Sequence, residues 1–136
     1  MKHFKAYELV PEIVYKQFGD LSEYFIDSKL RETLDKIRIF INMPIIVNNW
    51  INGGEFSNRG FRTADSNIGA KLSMHKVGGA IDCHCPHLSA DELREIVIKN
   101  QSRFKHIKRI EADVNWLHMD IKETGLNYIY LFKSGE

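Results

Sequence analysis

The chain has 136 residues, 43% of them hydrophobic and 27% charged, which suits one domain built around a single core. Nineteen Lys and Arg against eighteen Asp and Glu leave a net charge of +1, and this balance argues against a general nucleic-acid-binding surface. No apolar run approaches the roughly 18 residues of a membrane span, and large apolar residues spread along a charge-balanced chain argue against disorder.

Met1-Lys2-His3-Phe4-Lys5 is not followed by the apolar stretch of a secretory signal, so synthesis and folding in the cytoplasm are expected. Pro11 suits the first turn of a short helix over about residues 11–18, with Gly19 as its stop. A longer helix is expected over about residues 21–41. Leu21, Phe25, Leu30, Leu34, Ile37 and Phe40 recur there at helical steps, with Glu23, Lys29, Glu32 and Lys36 between them; Ile39 and Ile41 leave its end open. Pro44 marks a break, after which Ile45-Ile46-Val47 reads as a short strand. From Asn48 to Leu72 the chain is rich in Gly and polar residues and reads as a long loop. Trp50, Phe56 and Phe61 would be wasted in a disordered linker, so this loop is read as functional.

Gly78 to Cys83 reads as a turn into a strand. Ser89 and Glu92 have capping-box spacing and open a helix to about Gln101, with Leu93, Ile96 and Val97 on its buried face. Ile107 to Ala112, Trp116 to Ile121 and Tyr128 to Phe132 alternate as strands do. Helices first and strands later predict an α+β fold in a single domain over residues 1–136. Its N-terminal helical part, 1–44, packs on a small, mainly antiparallel sheet within 45–136 that carries the site.

His75, Asp82 and His118 stand out as candidate metal ligands. Two neutral imidazoles and one carboxylate are a common catalytic zinc set that keeps a position for water. Cys83, His84, Cys85 and His87 form a second cluster of donor residues. On a strand Cys83 and Cys85 face one way and His84 the other, so a closed tetrahedral site is not expected there, and buried thiols are.

The stretch SMHKVGGAID, Ser73 to Asp82, resembles the Ser-x-His-x-x-Gly-x-Ala-x-Asp signature of the zinc D-alanyl-D-alanine peptidases, a family that acts on bacterial peptidoglycan. Ser73, His75, Gly78, Ala80 and Asp82 all match it. NWLHMD, Asn115 to Asp120, resembles the Trp-x-His segment that supplies the family's third ligand. Residues 45–62, with Asn49-Trp50, Gly53-Gly54 and Arg59-Gly60-Phe61-Arg62, look like the substrate-side loop of its phage and Bacteroidetes-like branch. The resemblance covers about residues 45–121.

It implies one Zn²⁺ on His75, Asp82 and His118, and hydrolysis of a peptide bond in the peptidoglycan stem peptide, of carboxypeptidase or endolysin type. The place of action would be the bacterial cell wall and the origin a phage or prophage. Several branches place an acid three residues before the last histidine, where this chain has Asn115. The branch it looks closest to has instead a Glu at the end of the preceding strand, a place that Glu111 fits; Asp113, in the expected turn, competes for the role of base. Arg62 is closer to the family's usual arginine position and Arg59 is the other candidate, for holding a carboxylate or the reacting carbonyl. Ser73 would bond substrate or active-site backbone, or cap a turn. Trp116 would line the pocket or join the core, and Asp120 would be a carboxylate behind His118 or a strand-end charge. The other reading is a non-catalytic zinc- or wall-binding module on the same scaffold, which Asn115 favours.

Overall fold

Pro11 and Gly19 bracket helix α1, Glu12–Phe18, where they were expected to; Gly19 ends it at φ +58°. In the computed structural model, which describes residues 1–135, two further helices follow, α2 (Ser28–Ile41) and α3 (Ala90–Lys99). Four strands complete the fold: β1 (Ala80–Cys83), β2 (Arg109–Glu111), β3 (Leu117–Asp120) and β4 (Tyr130–Phe132). The fold is α+β, as the pattern predicts.

The expected helix over 21–41 is two pieces. Residues Gly19–Phe25 form 3₁₀ turns, Ile26 is extended, and α2 begins only at Ser28. Two local bonds set the break. The Ser22 hydroxyl donates to the Gly19 carbonyl at 2.6 Å, and the Asp27 carboxylate accepts from the Lys29 amide at 2.8 Å as a helix cap. Leu21 is therefore 67% exposed, and the buried stripe runs through Ile26, Leu30, Leu34 and Ile37. Asn42, left-handed at φ +51°, ends α2.

Ile45–Val47 is not a strand. Only Ile46 bridges to His84, because Asn48 turns the chain away: its amide donates to the Glu8 carbonyl at 2.9 Å and its side chain to the Val10 carbonyl at 3.2 Å. The Ser89–Glu92 capping box is present, with reciprocal bonds of 2.9 and 3.0 Å. Leu93 and Val97 are buried as expected, and so is Arg94, which was not.

The sheet order is β1-β3-β2-β4, antiparallel except for the parallel β2–β4 pair. Alternation along the strands sorts side chains onto two faces. Ile81, Cys83, Ile110, Leu117 and Met119 join α2, α3 and the N-terminal residues Leu9 and Val10 in one hydrophobic core. Asp82, His118, Asp120, Arg109 and Glu111 occupy the other face. Among the described residues no helix is long and apolar enough to cross a membrane.

Gly78 makes a close approach between the two parts of the chain. It sits at φ +72°, and a Cβ there would overlap the Phe25 carbonyl oxygen, while its own carbonyl accepts from the Asp27 amide at 2.9 Å. Gly78→Ala is expected to destabilise the protein by about 3 kcal/mol or more in urea denaturation, since strain and overlap add. A loss below about 1 kcal/mol would mean that the turn and the α2 entry can move apart freely.

Candidate metal centre

His75 lies in a short 3₁₀ turn, Met74–Val77, placed immediately before β1. Ser73 caps this turn: its hydroxyl accepts from the His75 amide at 3.2 Å. The hydroxyl therefore supports site backbone, one of the roles the sequence allowed. On the far side Gly60 brings its carbonyl to His75, and the imidazole donates to it through Nδ1 at 2.8 Å. A carbonyl only accepts, so Nδ1 carries a hydrogen; a neutral ring, as a metal ligand must be, then has its lone pair on Nε2.

Asp82 and His118 are register partners on β1 and β3, so their side chains leave the sheet together. His118 Nδ1 is 2.8 Å from Asp82 Oδ1, and His75 Nε2 is 3.3 Å from Asp82 Oδ2. One ligand atom from each of the three lies within 4.8 Å of the others, and all three residues are buried. Among the described residues this is the group of His, Cys, Asp and Glu side chains that converges as a metal site requires. The donor set fits a divalent ion: two imidazole nitrogens and one carboxylate, each already oriented by a partner.

The electrostatics depend on these contacts. Burial pushes the Asp82 pKa up, but hydrogen bonds from His118 and His75 outweigh it and hold the carboxyl well below the usual range. For His118, burial pulls down, but hydrogen bonds to Asp120 and Asp82 prevail and the imidazole is pushed up to about 9.

Glu111 stands on the same face. Extending the β2–β3 register from Arg109↔Asp120 and Ile110↔Met119 by one residue sets Glu111 opposite His118. Its carboxylate accepts from the Ser134 hydroxyl at 2.6 Å. Its competitor Asp113 is exposed in the β2–β3 turn at φ +63°, and Asn115 is exposed beyond it. Arg94 reaches from α3 to hold this turn, donating through Nη2 to the Val114 carbonyl at 2.7 Å.

Arg62 is 8% exposed and points at the centre. Its Nε donates to the Asn58 carbonyl at 2.8 Å and its Nη2 to Asp82 Oδ2 at 3.4 Å. Arg59 takes another direction: its guanidinium lies over the Phe56 ring, 4.1 Å from the centroid, with Nη1 2.8 Å from His84 Nδ1. Arg59, Phe56, His84 and Trp116 line a groove of about 620 Å³. Trp116 is 37% exposed, a groove wall rather than core. Extending the β1–β3 register by one residue beyond Cys83↔Leu117 sets His84 opposite Trp116, so the groove continues the Asp82–His118 face. Of the Cys83, His84, Cys85 and His87 run, both thiols are buried and free, and burial pushes Cys83 up to about 12.

Three contributors were not singled out from sequence: Arg109, Phe132 and the Gly60 carbonyl. Strand alternation places Arg109 on the Glu111 face, but its partner depends on the register. Arg109 holds Asp120 through Nε at 3.0 Å and Nη2 at 2.8 Å. The Phe132 ring meets His118 edge-on at 5.5 Å.

No family model, curated protein or solved structure matches the chain.

The pKa directions set a pH dependence for protein stripped of metal by chelation. A raised His118 pKa contributes stability fully below about 6.5, and the contribution is lost as pH rises through about 9. The depressed Asp82 and Asp120 act oppositely: their contribution is present above about 4 and lost on acidification. Chelated protein is therefore expected to lose a few kcal/mol of stability between pH 7 and 10. If a metal takes up a neutral His118 as ligand, this loss should shrink in the metal-loaded protein. Melting curves across that range check it; the same alkaline loss with and without metal would contradict it.

Proposed function

We propose that the chain is a zinc peptidase that cleaves a peptide bond in the peptidoglycan stem peptide. The observation that carries the reading is the convergence of His75, Asp82 and His118, the three residues that the resemblance to zinc D-alanyl-D-alanine peptidases implies as ligands, on one buried point. When bound there, a zinc ion supplies Lewis acidity and lowers the pKa of water toward about 7.

The chain's own side chains divide the remaining work. Glu111, opposite His118 on the same sheet face, accepts a proton from the attacking water and returns it to the leaving amine. Arg62, held by the Asn58 carbonyl and aimed at Asp82, stabilises negative charge that develops on the carbonyl oxygen. Arg59 and Trp116 hold the peptide in the adjoining groove, where the guanidinium suits a carboxylate. Ser73 keeps the His75 turn in place and makes no substrate contact in this reading.

Digestion of purified muropeptides by zinc-loaded protein, followed by mass spectrometry, tests the proposal. Wild type is expected to release a stem-peptide fragment. Glu111→Ala should cleave at least about 100-fold more slowly while binding zinc as wild type does. If neither protein cleaves at full zinc occupancy, the chain is a zinc- or wall-binding module, the reading that Asn115 and the Ser134–Glu111 bond favour. Cleavage by both at equal rates would remove Glu111 from the mechanism.

A further inference from the structure

His118 is held at both ring nitrogens by carboxylates of different standing. Asp82, at Nδ1, is itself a candidate ligand. Asp120, 2.9 Å from Nε2, is not part of the ligand group and is fully buried. The Asp120 carboxylate is immobilised on all sides. Arg109 Nε donates to both of its oxygens at 3.0 and 3.2 Å, Nη2 donates to Oδ2 at 2.8 Å, and the Lys122 amide donates to Oδ1 at 3.1 Å. Arg109 is fixed in turn. Its guanidinium lies 3.9 Å over the Phe132 ring, and the same ring packs edge-on against His118.

This network makes a closed circuit of side chains on one sheet face: His118, Asp120, Arg109 and Phe132. An ionised carboxylate only accepts, and both ring nitrogens face one; with Asp82 engaged as a metal ligand, Asp120 is the acceptor that stays, so a neutral His118 would carry its hydrogen on Nε2 and its lone pair on Nδ1. The register explains why these residues meet. Arg109 and Asp120 are cross-strand partners, and Asp120 is two residues beyond His118 on the same face.

We propose that Arg109 is a positioning residue that, through Asp120, fixes the His118 tautomer so that His118 binds the metal through Nδ1 while His75 binds it through Nε2. The inference rests on the metal reading of the site and adds to it the ligand atom and the residue that selects it.

Two measurements test it. In zinc-loaded, ¹⁵N-labelled wild type, long-range ¹H–¹⁵N correlation spectra assign the imidazole tautomers. A His118 hydrogen on Nε2 is expected, and a hydrogen on Nδ1 overturns the inference without any variant being made. Zinc affinity by chelator competition gives the second readout. Arg109→Met is expected to bind zinc about 10- to 100-fold more weakly, with Arg109→Lys between it and wild type because the charge survives and the fork is lost. Lys99→Met, which breaks only a surface pair with Glu95, should leave affinity unchanged. Unaltered affinity in Arg109→Met beside tight binding in wild type overturns this inference alone. Wild type that takes up no zinc overturns it together with the peptidase reading.

Discussion

A carboxylate removed from water is unfavourable unless cations and donors surround it, and Asp82 is such a group. His118, His75 and Arg62 approach it from β3, from the turn before β1 and from the long loop. Three separate parts of the chain must therefore be in place before this one charge is tolerable. The β1–β3 ladder supplies the His118 contact directly, since Asp82 and His118 face one another across it. The other two contacts depend on irregular backbone, which needs its own supports.

Those supports are side-chain amides and glycines rather than regular hydrogen-bond ladders. Asn48 accepts from the Arg59 amide at 3.0 Å, and Asn49 accepts from the Phe56 amide at 2.9 Å, so the segment folds back on itself. The Arg59 carbonyl accepts from the Asp82 amide at 2.7 Å, which joins the loop to the edge of β1. With these bonds made, a stretch with no strand and only one short 3₁₀ turn, Trp50–Asn52, still presents Gly60 to His75 and Arg62 to Asp82. The polar composition of residues 48–62, which reads in the sequence as a long loop, is the material of that scaffold.

Legibility in the sequence followed the range of the forces involved. Pro11 with Gly19, and Ser89 with Glu92, act within a few residues, and both helix boundaries were readable. The break at Ile26–Asp27 was not, because apolar spacing runs through it while Ser22 and Asp27 bond locally to interrupt the helix. His75, Asp82 and His118 were recognisable from a spaced motif, and the expected hairpin placed Glu111 on their face. Arg109 and Arg94 escaped notice because their partners, Asp120 and the Val114 carbonyl, are set by a strand register and by helix docking, which no local pattern states. For Trp116 the sequence left pocket wall and core both open, because bulk alone does not say which side of a strand end is covered; it is the groove wall.

The glycines on either side of His75 have a further consequence. Gly60 lies against the Leu9 carbonyl, and Gly78 against the Phe25 carbonyl, each without room for a methyl group. The Phe61 amide adds a bond of 2.8 Å to that same Leu9 carbonyl. The first forty-four residues, which contribute none of the three converging side chains, thus form the outer jaw that clamps the histidine turn from both ends. They are no detachable appendage: a fragment starting at residue 45 would keep every donor and lose the vice that aligns them.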